Sequence, residues 1–349
     1  MKKLLSVAMA SVMAMGLVAC SAGTPAETTA APAETTAAAE TKAAETDAEK
    51  TDGEGGGDSG ELIKVGIINN DPNESGYRTA NVADLKAKFT KENGYDAQFA
   101  YSLKNEEQIA QAQTFIQDEV DYLLLSAADV AGWDTVLQDA KTAGIKVILF
   151  DRTIDADPSL YEASIVSDMA KEGQTAVDWL AGQNLKEYNV IHIQGVMGSA
   201  AQVGRSGALD TKVAAESTWN IVKQQTAEWN AEKAQQIVQS VIDAKTPFNV
   251  IYAENDDMAK GAVAALDAAG ISHGVGKDVI VMGFDCNKWA LEELLAGNWN
   301  YDGQCNPFQA SYIDEIIKNG TPAEKVIIMD EKGFDAKTIT QEDVDTYGI

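Results

Sequence analysis

Several acids and arginines in this sequence sit where they could hydrogen-bond one polar molecule. Glu74 and Arg78 stand four apart in "NESGYR", and Asp151 adjoins Arg152 in "KVILFDRTID". Arg205 lies in "QVGRSGAL", Asn255 and Asp256 in "ENDDM", Asp285 in "GFDCN" and Gln304 in "GQCNP". A carboxylate accepts from two hydroxyls, a guanidinium donates to two oxygens, and an amide does both. Tyr77 and Trp229 offer aromatic faces on which the apolar side of a ring can stack. Acids and arginines nearly balance in this set, which suits an uncharged polyol better than a phosphate or a carboxylate. The set therefore predicts a binding site for a neutral sugar.

Each residue also has a purely structural reading. Asn255 and Asp256 open a helical pattern and could serve as caps. Glu74 and Arg78 have the i,i+4 spacing of a self-supporting helical pair. Asp151 with Arg152 could be a surface ion pair, Arg205 a solvated helix residue and Trp229 a lid on the core. His192 alternates with apolar neighbours and reads as a core histidine, and Trp133, Trp179, Trp219 and Trp299 as packing residues. Two acids could also act as the general acid and base of glycoside hydrolysis. The sequence shows no serine elbow, Cys–His pair or phosphate-cradling glycine loop, so a binder rather than an enzyme is expected.

The elements that must carry these residues come in two sets. "KVGII" (64–68), "AQFAY" (97–101), "YLLLS" (122–126), "KVILF" (146–150) and "EASIVS" (162–167) read as strands, with helical patterns near 78–93, 106–118 and 132–143. "NVIHI" (189–193), "NIVKQ" (220–224), "NVIYA" (249–253) and "VIVMGF" (279–284) repeat the plan, with helical patterns near 169–183, 199–216, 230–244 and 256–269. Near-continuous apolar strands alternating with helices mean parallel sheets covered on both faces, here two doubly wound α/β lobes. Ligands of such sheets lie beyond the carboxyl ends of the strands. The polar residues named above follow strand ends in both sets.

The remaining sequence concerns address. Lys2 and Lys3 precede a short apolar run ending in "LVAC", the pattern of a secretory signal over residues 1–20. "LVAC-S" resembles the lipobox of bacterial lipoproteins, which implies lipidation at Cys20. Residues 21–61 are almost entirely Ala, Thr, Glu, Gly, Asp and Ser, with ten acids against Lys42 and Lys50. They read as a disordered, self-repelling acidic tether without a site. The chain of 349 residues carries a formal net charge of −27, so it will not hold nucleic acid or anionic lipid by charge. No metal-ligand spacing is present, and no metal or cofactor is expected. Export permits a disulfide between Cys286 and Cys305.

From about residue 62 to 329 the chain resembles the ribose-binding-type (type I) periplasmic sugar-binding proteins of bacterial ABC importers, and within them the galactofuranose-binding branch. The shared stretches are "NESGYRTAN" (73–81), "AADVAGWDTVLQDAK" (127–141), "DRTID" (151–155), "SDMAKEGQTAVDWL" (167–180), "NDDMAKGAVAALDAAG" (255–270) and "GFD" (283–285). The resemblance implies a two-lobed clamp with a three-stranded hinge and a monosaccharide, a galactofuranose-like hexose or a pentose, in the cleft. It implies that Arg152, Arg205, Asn255 and Asp285 touch the sugar and that Gln304 stands at a hinge crossing, where the galactofuranose branch has Glu. It also implies a monomeric, extracytoplasmic, lipid-anchored protein that serves the membrane permease of an ABC importer. Repressors that share this clamp carry a DNA-binding headpiece where this chain has a signal and tether. A sugar-sensing protein for signalling or chemotaxis, or a secreted glycoside hydrolase, would be the alternatives. The expected division is residues 62–167 with 306–322 in the first lobe and 168–305 with 323–349 in the second. Crossings are expected near 167–168, 304–306 and 321–325, with helix 307–319 returning to the first lobe.

Overall fold

The computed structural model describes residues 61–349; Cys20, the expected signal and residues 21–60 of the tether lie outside the described residues. The first set of elements is β1 (Ile63–Asn69), α1 (Gly76–Lys88), β2 (Tyr95–Tyr101), α2 (Asn105–Gln117), β3 (Tyr122–Leu125), α3 (Asp134–Thr142), β4 (Lys146–Asp151) and β5 (Ala163–Val166). The second is α4 (Met169–Ala181), β6 (Tyr188–Gln194), α5 (Ala200–Ala215), β7 (Trp219–Thr226), α6 (Ala231–Asp243), β8 (Val250–Ala253), α7 (Asp256–Ala268), β9 (Ile280–Asp285), α8 (Lys288–Leu295) and β10 (Tyr301–Gln304). The chain closes with α9 (Ala310–Asn319), β11 (Val326–Ile328), β12 (Gly333–Asp335) and α10 (Gln341–Tyr347).

Two six-stranded sheets result, in the orders β11-β5-β4-β3-β1-β2 and β12-β10-β9-β8-β6-β7. Every pairing is parallel except β10 with β12. Strands such as β4, whose Val147 to Asp151 are all buried, need apolar cover on both faces. Apolar clusters supply it, one built on Leu85, Ile148 and Ile313 and another on Phe115, Leu137 and Leu149 in the first lobe. In both sheets the strand order reverses beside the first strand of the set, which opens a crevice at the carboxyl ends of β1 and β6.

Short polar side chains start the helices that face the crevice. Ser75, Asp168, Ser199 and Asn255 each accept a backbone N–H in the first turn of α1, α4, α5 and α7. α4 and α5 cross through two glycines: a Cβ on Gly173 would lie 2.8 Å from Gly204 O, and one on Gly204 would lie 2.5 Å from the Met169 carbonyl carbon. That close crossing sets Arg205 of α5 against Glu172 of α4.

One expectation needs correction. Residues 323–329 belong to the first sheet, because β11 pairs with β5 through Val326–Ser164, Ile327–Ile165 and Ile328–Val166. The third crossing therefore falls after Met329, whose N–H still bonds Val166 O at 3.0 Å, and not at 321–325. α9 packs its Ile313, Ile316 and Ile317 into the first lobe's core with Leu85 and Phe89. Cys286 and Cys305 are both free thiols. Their side chains diverge, Cys286 Sγ toward Asp302 Oδ1 at 3.8 Å and Cys305 Sγ toward Ser167 Oγ at 3.5 Å. Among the described residues no helix is long and apolar enough to cross a membrane.

Candidate functional site

The crevices of the two lobes face each other across one narrow, shared cleft. Glu74, Tyr77, Arg78, Asp151 and Arg152 line it from the first lobe, and Arg205, Trp229, Asn255 and Asp285 from the second. These are nine of the eleven candidate residues, gathered from segments spread over more than two hundred positions. The backbone is strained where several of them sit. Asp151 (φ 64°), Trp229 (φ 63°) and Asp285 (φ 110°) are non-glycine residues at positive φ, and so are their neighbours Glu228 and Cys286. Such conformations cost on the order of 1–3 kcal/mol each and concentrate at functional sites.

On the first-lobe wall one network holds both arginines. Arg78 Nη2 donates to Asp151 Oδ2 at 2.6 Å, Nη1 to Asn69 Oδ1 at 2.8 Å, and Nε to Glu74 Oε2 at 3.3 Å. Arg152 Nη2 shares that Glu74 oxygen at 3.3 Å, and its Nε stands 3.6 Å from Asp151. Tyr77 donates its hydroxyl to Asp151 Oδ1 at 2.8 Å, and Ser126 donates to Oδ2 at 2.6 Å. Burial alone would raise the Asp151 carboxyl, but Arg78, Arg152 and Ser126 outweigh it and hold it below the ordinary carboxylate value. The i,i+4 reading of Glu74 and Arg78 is thus true but incomplete, since Glu74 also bridges to Arg152.

On the second-lobe wall Arg205 Nε donates to Glu172 Oε2 at 2.7 Å and Nη2 to Asp285 Oδ1 at 3.2 Å, while Nη1 reaches Glu254 O. One guanidinium here serves two buried acids. Burial pushes Asp285 up, Arg205 pulls against it, and Glu172, Asp257 and Asp302 add to the rise. Asn255 spends its Oδ1 on the Met258 N–H at 2.9 Å, so the cap reading holds for that atom. Its buried Nδ2, like the buried indole Nε1 of Trp229, has no partner among the described residues. The Trp229 ring lies directly on the backbone of Gly195, where a Cβ would meet Cη2 at 1.8 Å.

The lobes touch at the cleft's rims. Gly76 N donates to Asp257 Oδ2 at 3.0 Å and Val130 N to Gly198 O at 3.3 Å. A Cβ on Gly76 would lie 1.9 Å from Asn287 Oδ1. This is a closed clamp.

Two candidates lie elsewhere. Asp256 turns its Oδ2 to the N–H and Nδ2 of Asn287, at 2.8 and 3.1 Å, and so fixes the loop after β9. Gln304 lines a separate cavity at the hinge with Lys171, Glu331 and Lys332. Cys305, one residue on, lines the cleft instead, as the alternation of an extended chain requires. Sequence reasoning missed Ser75, Met169, Ala201 and Cys305, which also line the cleft. The strand-end rule that found the polar residues covers Met169 and Ala201 as well, in the first turns of α4 and α5. His192 is fully buried and bonds Glu254 Oε1 at 2.8 Å, a core histidine as expected.

A model of the periplasmic binding protein domain matches residues 65–313. The chain belongs to that family. The periplasmic binding protein fold is shared with a crystallised galactofuranose-binding protein, at TM-score 0.75 and 27% identity over 82% of this chain and 98% of that one. The arabinose-transporter component of Shewanella sp. ANA-3, bound to L-arabinofuranose, gives TM-score 0.71 and 29% identity over 78% and 92%. In sequence, this periplasmic binding protein is 29% identical to the galactofuranose-binding protein of Escherichia coli over 73% of its length and 82% of the relative's. It is 30% identical to the fructose import binding protein of Bifidobacterium longum over 81% and 87%. The two-lobed type I architecture expected from the sequence is the one observed.

Proposed function

We propose that this protein captures a neutral monosaccharide between its lobes and delivers it to the membrane subunits of an ABC importer, anchored outside the cytoplasm through a lipid on Cys20. The carrying observation is the pair of facing walls, Arg78, Arg152 and Asp151 opposite Arg205, Asp285 and Asn255. Their charges are compensated within the protein before any ligand enters, so a charged ligand would upset the balance and an uncharged polyol would not. The unpaired Asn255 Nδ2 and Trp229 Nε1 need acceptors in a closed cleft, and ring or hydroxyl oxygens of a sugar supply them. Trp229 and Tyr77 give apolar faces for the ring's C–H bonds. The named ligands of the relatives, galactofuranose and fructose, and the arabinofuranose of the solved neighbour support a hexose or pentose of this kind. Glu74, Tyr77, Arg78, Asp151, Arg152, Arg205, Trp229, Asn255 and Asp285 are the residues we assign to the sugar.

A thermal-shift screen of the purified protein against neutral monosaccharides tests this reading. A ligand at a hundred times its Kd adds about 2.7 kcal/mol to the native state. Stabilisation by one or a few monosaccharides, none by sugar phosphates or uronic acids, and no turnover of glycosides are expected. Stabilisation by charged sugars alone would reject it.

A further inference from the structure

Behind the cleft the three chain crossings converge on one carboxylate. Glu331, in the third crossing, accepts through Oε1 from Ser167 Oγ at 2.6 Å in the first crossing and from Asn306 N at 2.6 Å in the second. No hydrogen bond within the described residues reaches its other oxygen. Glu172, in the first turn of α4, is held in the same way: Oε2 takes the Arg205 N–H, while Oε1 is buried and takes no donor from the described residues. Cys305 Sγ lies 3.5 Å from Ser167 Oγ. One ligand atom each from Glu172, Cys305 and Glu331 lies within 4.8 Å of the other two.

A thiol and two carboxylate oxygens packed this closely hold either a shared proton or a cation between them. We propose that this hinge cluster is a site for a borderline divalent cation, Zn²⁺ by its donor set. Cys305 as thiolate, Glu172 Oε1 and the free oxygen of Glu331 would be the three protein ligands, with water in the fourth position. Calcium and magnesium want more oxygens and no thiolate. Bonds of about 2.0–2.3 Å put tetrahedral ligand atoms roughly 3.3–3.7 Å apart, so the cluster contracts by at most about 1.5 Å to fit. The orienting contacts are already made, by Ser167 and Asn306 on Glu331 and by Arg205 on Glu172. A partly open pocket lined by Lys171, Gln304 and Lys332 reaches Glu172 and Glu331, and Cys305 meets them from the cleft side. Loading releases the Cys305 proton. The ion ties the second and third crossings to α4 and holds the hinge at its closed angle. The ligands stand too far apart in the chain for a spacing motif to reveal them.

The test uses the full chain with Cys20→Ser, stripped with EDTA. Titration with Cd²⁺ should give thiolate-to-metal ultraviolet absorption that saturates at one equivalent and survives Cys286→Ser but not Cys305→Ser. Calorimetry with Zn²⁺ should show one site, weakened at least tenfold by Glu331→Gln. Melting of each variant without metal shows that it folds, and Glu331→Gln keeps the test open if Cys305→Ser does not. Absorption that survives Cys305→Ser, zinc affinity unchanged in Glu331→Gln, or no zinc binding at all would overturn the site; a cluster that answers only to acidification holds a shared proton instead.

Discussion

Arg78 Nη2 and Asp151 Oδ2 meet at 2.6 Å with both side chains almost wholly buried. This contact joins the start of α1 to the end of β4 and sets the first-lobe wall of the cleft. Asp151 is the shared acceptor for Arg78, Ser126 and Tyr77, so its charge organises three side chains at once. Removing one partner of a buried pair costs roughly 3–5 kcal/mol, because the other is left uncompensated. Asp151→Asn should lower stability by about 3 kcal/mol or more in urea unfolding. A loss below about 1 kcal/mol would show that Glu74 alone compensates both arginines.

Closure can be separated from sugar contact. Gly76→Ala places a methyl where Asn287 Oδ1 sits 1.9 Å away across the interface, yet alters nothing that lines the cleft walls opposite. Sugar affinity should fall at least tenfold, and small-angle scattering with saturating sugar should show a larger radius than for the unaltered protein. Unchanged affinity would mean that the rim contact plays no part in capture.

Gly195→Ala addresses the stacking face. Its methyl would overlap the Trp229 ring at 1.8 Å and must displace it. Calorimetry should show sugar affinity reduced about tenfold or more, with Tm changed by only a few degrees. Equal affinity would remove Trp229 from the site.

Asp302 gives the second lobe a pH dependence. Burial pushes its carboxyl up to about 7, against the ordinary value of 3.8, and Asp256 lies beside it with its own carboxyl raised by burial and by Asp302. The folded state therefore keeps a proton that the unfolded chain has lost over the interval from about 4 to about 7. Stability should fall as pH rises through that interval, by at most about 1.4 kcal/mol per unit for this group, and level off above it. Asp302→Asn should flatten the slope and raise Tm at pH 8. A slope unchanged by the substitution would show that Asp302 carries none of it.

Much of this was legible in sequence because the relevant signals are local. Apolar runs such as "KVILF" mark strands, and the residues just after them face the crevice by topology alone. Register and side-chain direction are not local. Val326–Ile328 is a short edge strand with two exposed residues, and only its pairing with β5 assigns it to the first sheet. Gln304 and Cys305 differ by one step of alternation, which put the thiol in the cleft and the amide in the hinge cavity. Asp256 follows Asn255 by one residue at the helix start, and its bonds to Asn287 could not be read from the sequence. The disulfide that export would permit is absent for the same reason, since neighbouring strands carry the two thiols to different partners.

The central claim is that Arg152 and its neighbours bind an uncharged sugar, and one calorimetric comparison tests it most directly. The monosaccharide that stabilises the unaltered protein most is titrated into that protein, Arg152→Met and Arg152→Lys. Charged hydrogen bonds contribute roughly 1.5–3 kcal/mol each, and an ammonium cannot reproduce the planar fork. The account predicts one site per chain, an affinity about a hundredfold weaker or worse in Arg152→Met, and poor rescue in Arg152→Lys. Equal affinity in all three proteins would contradict it.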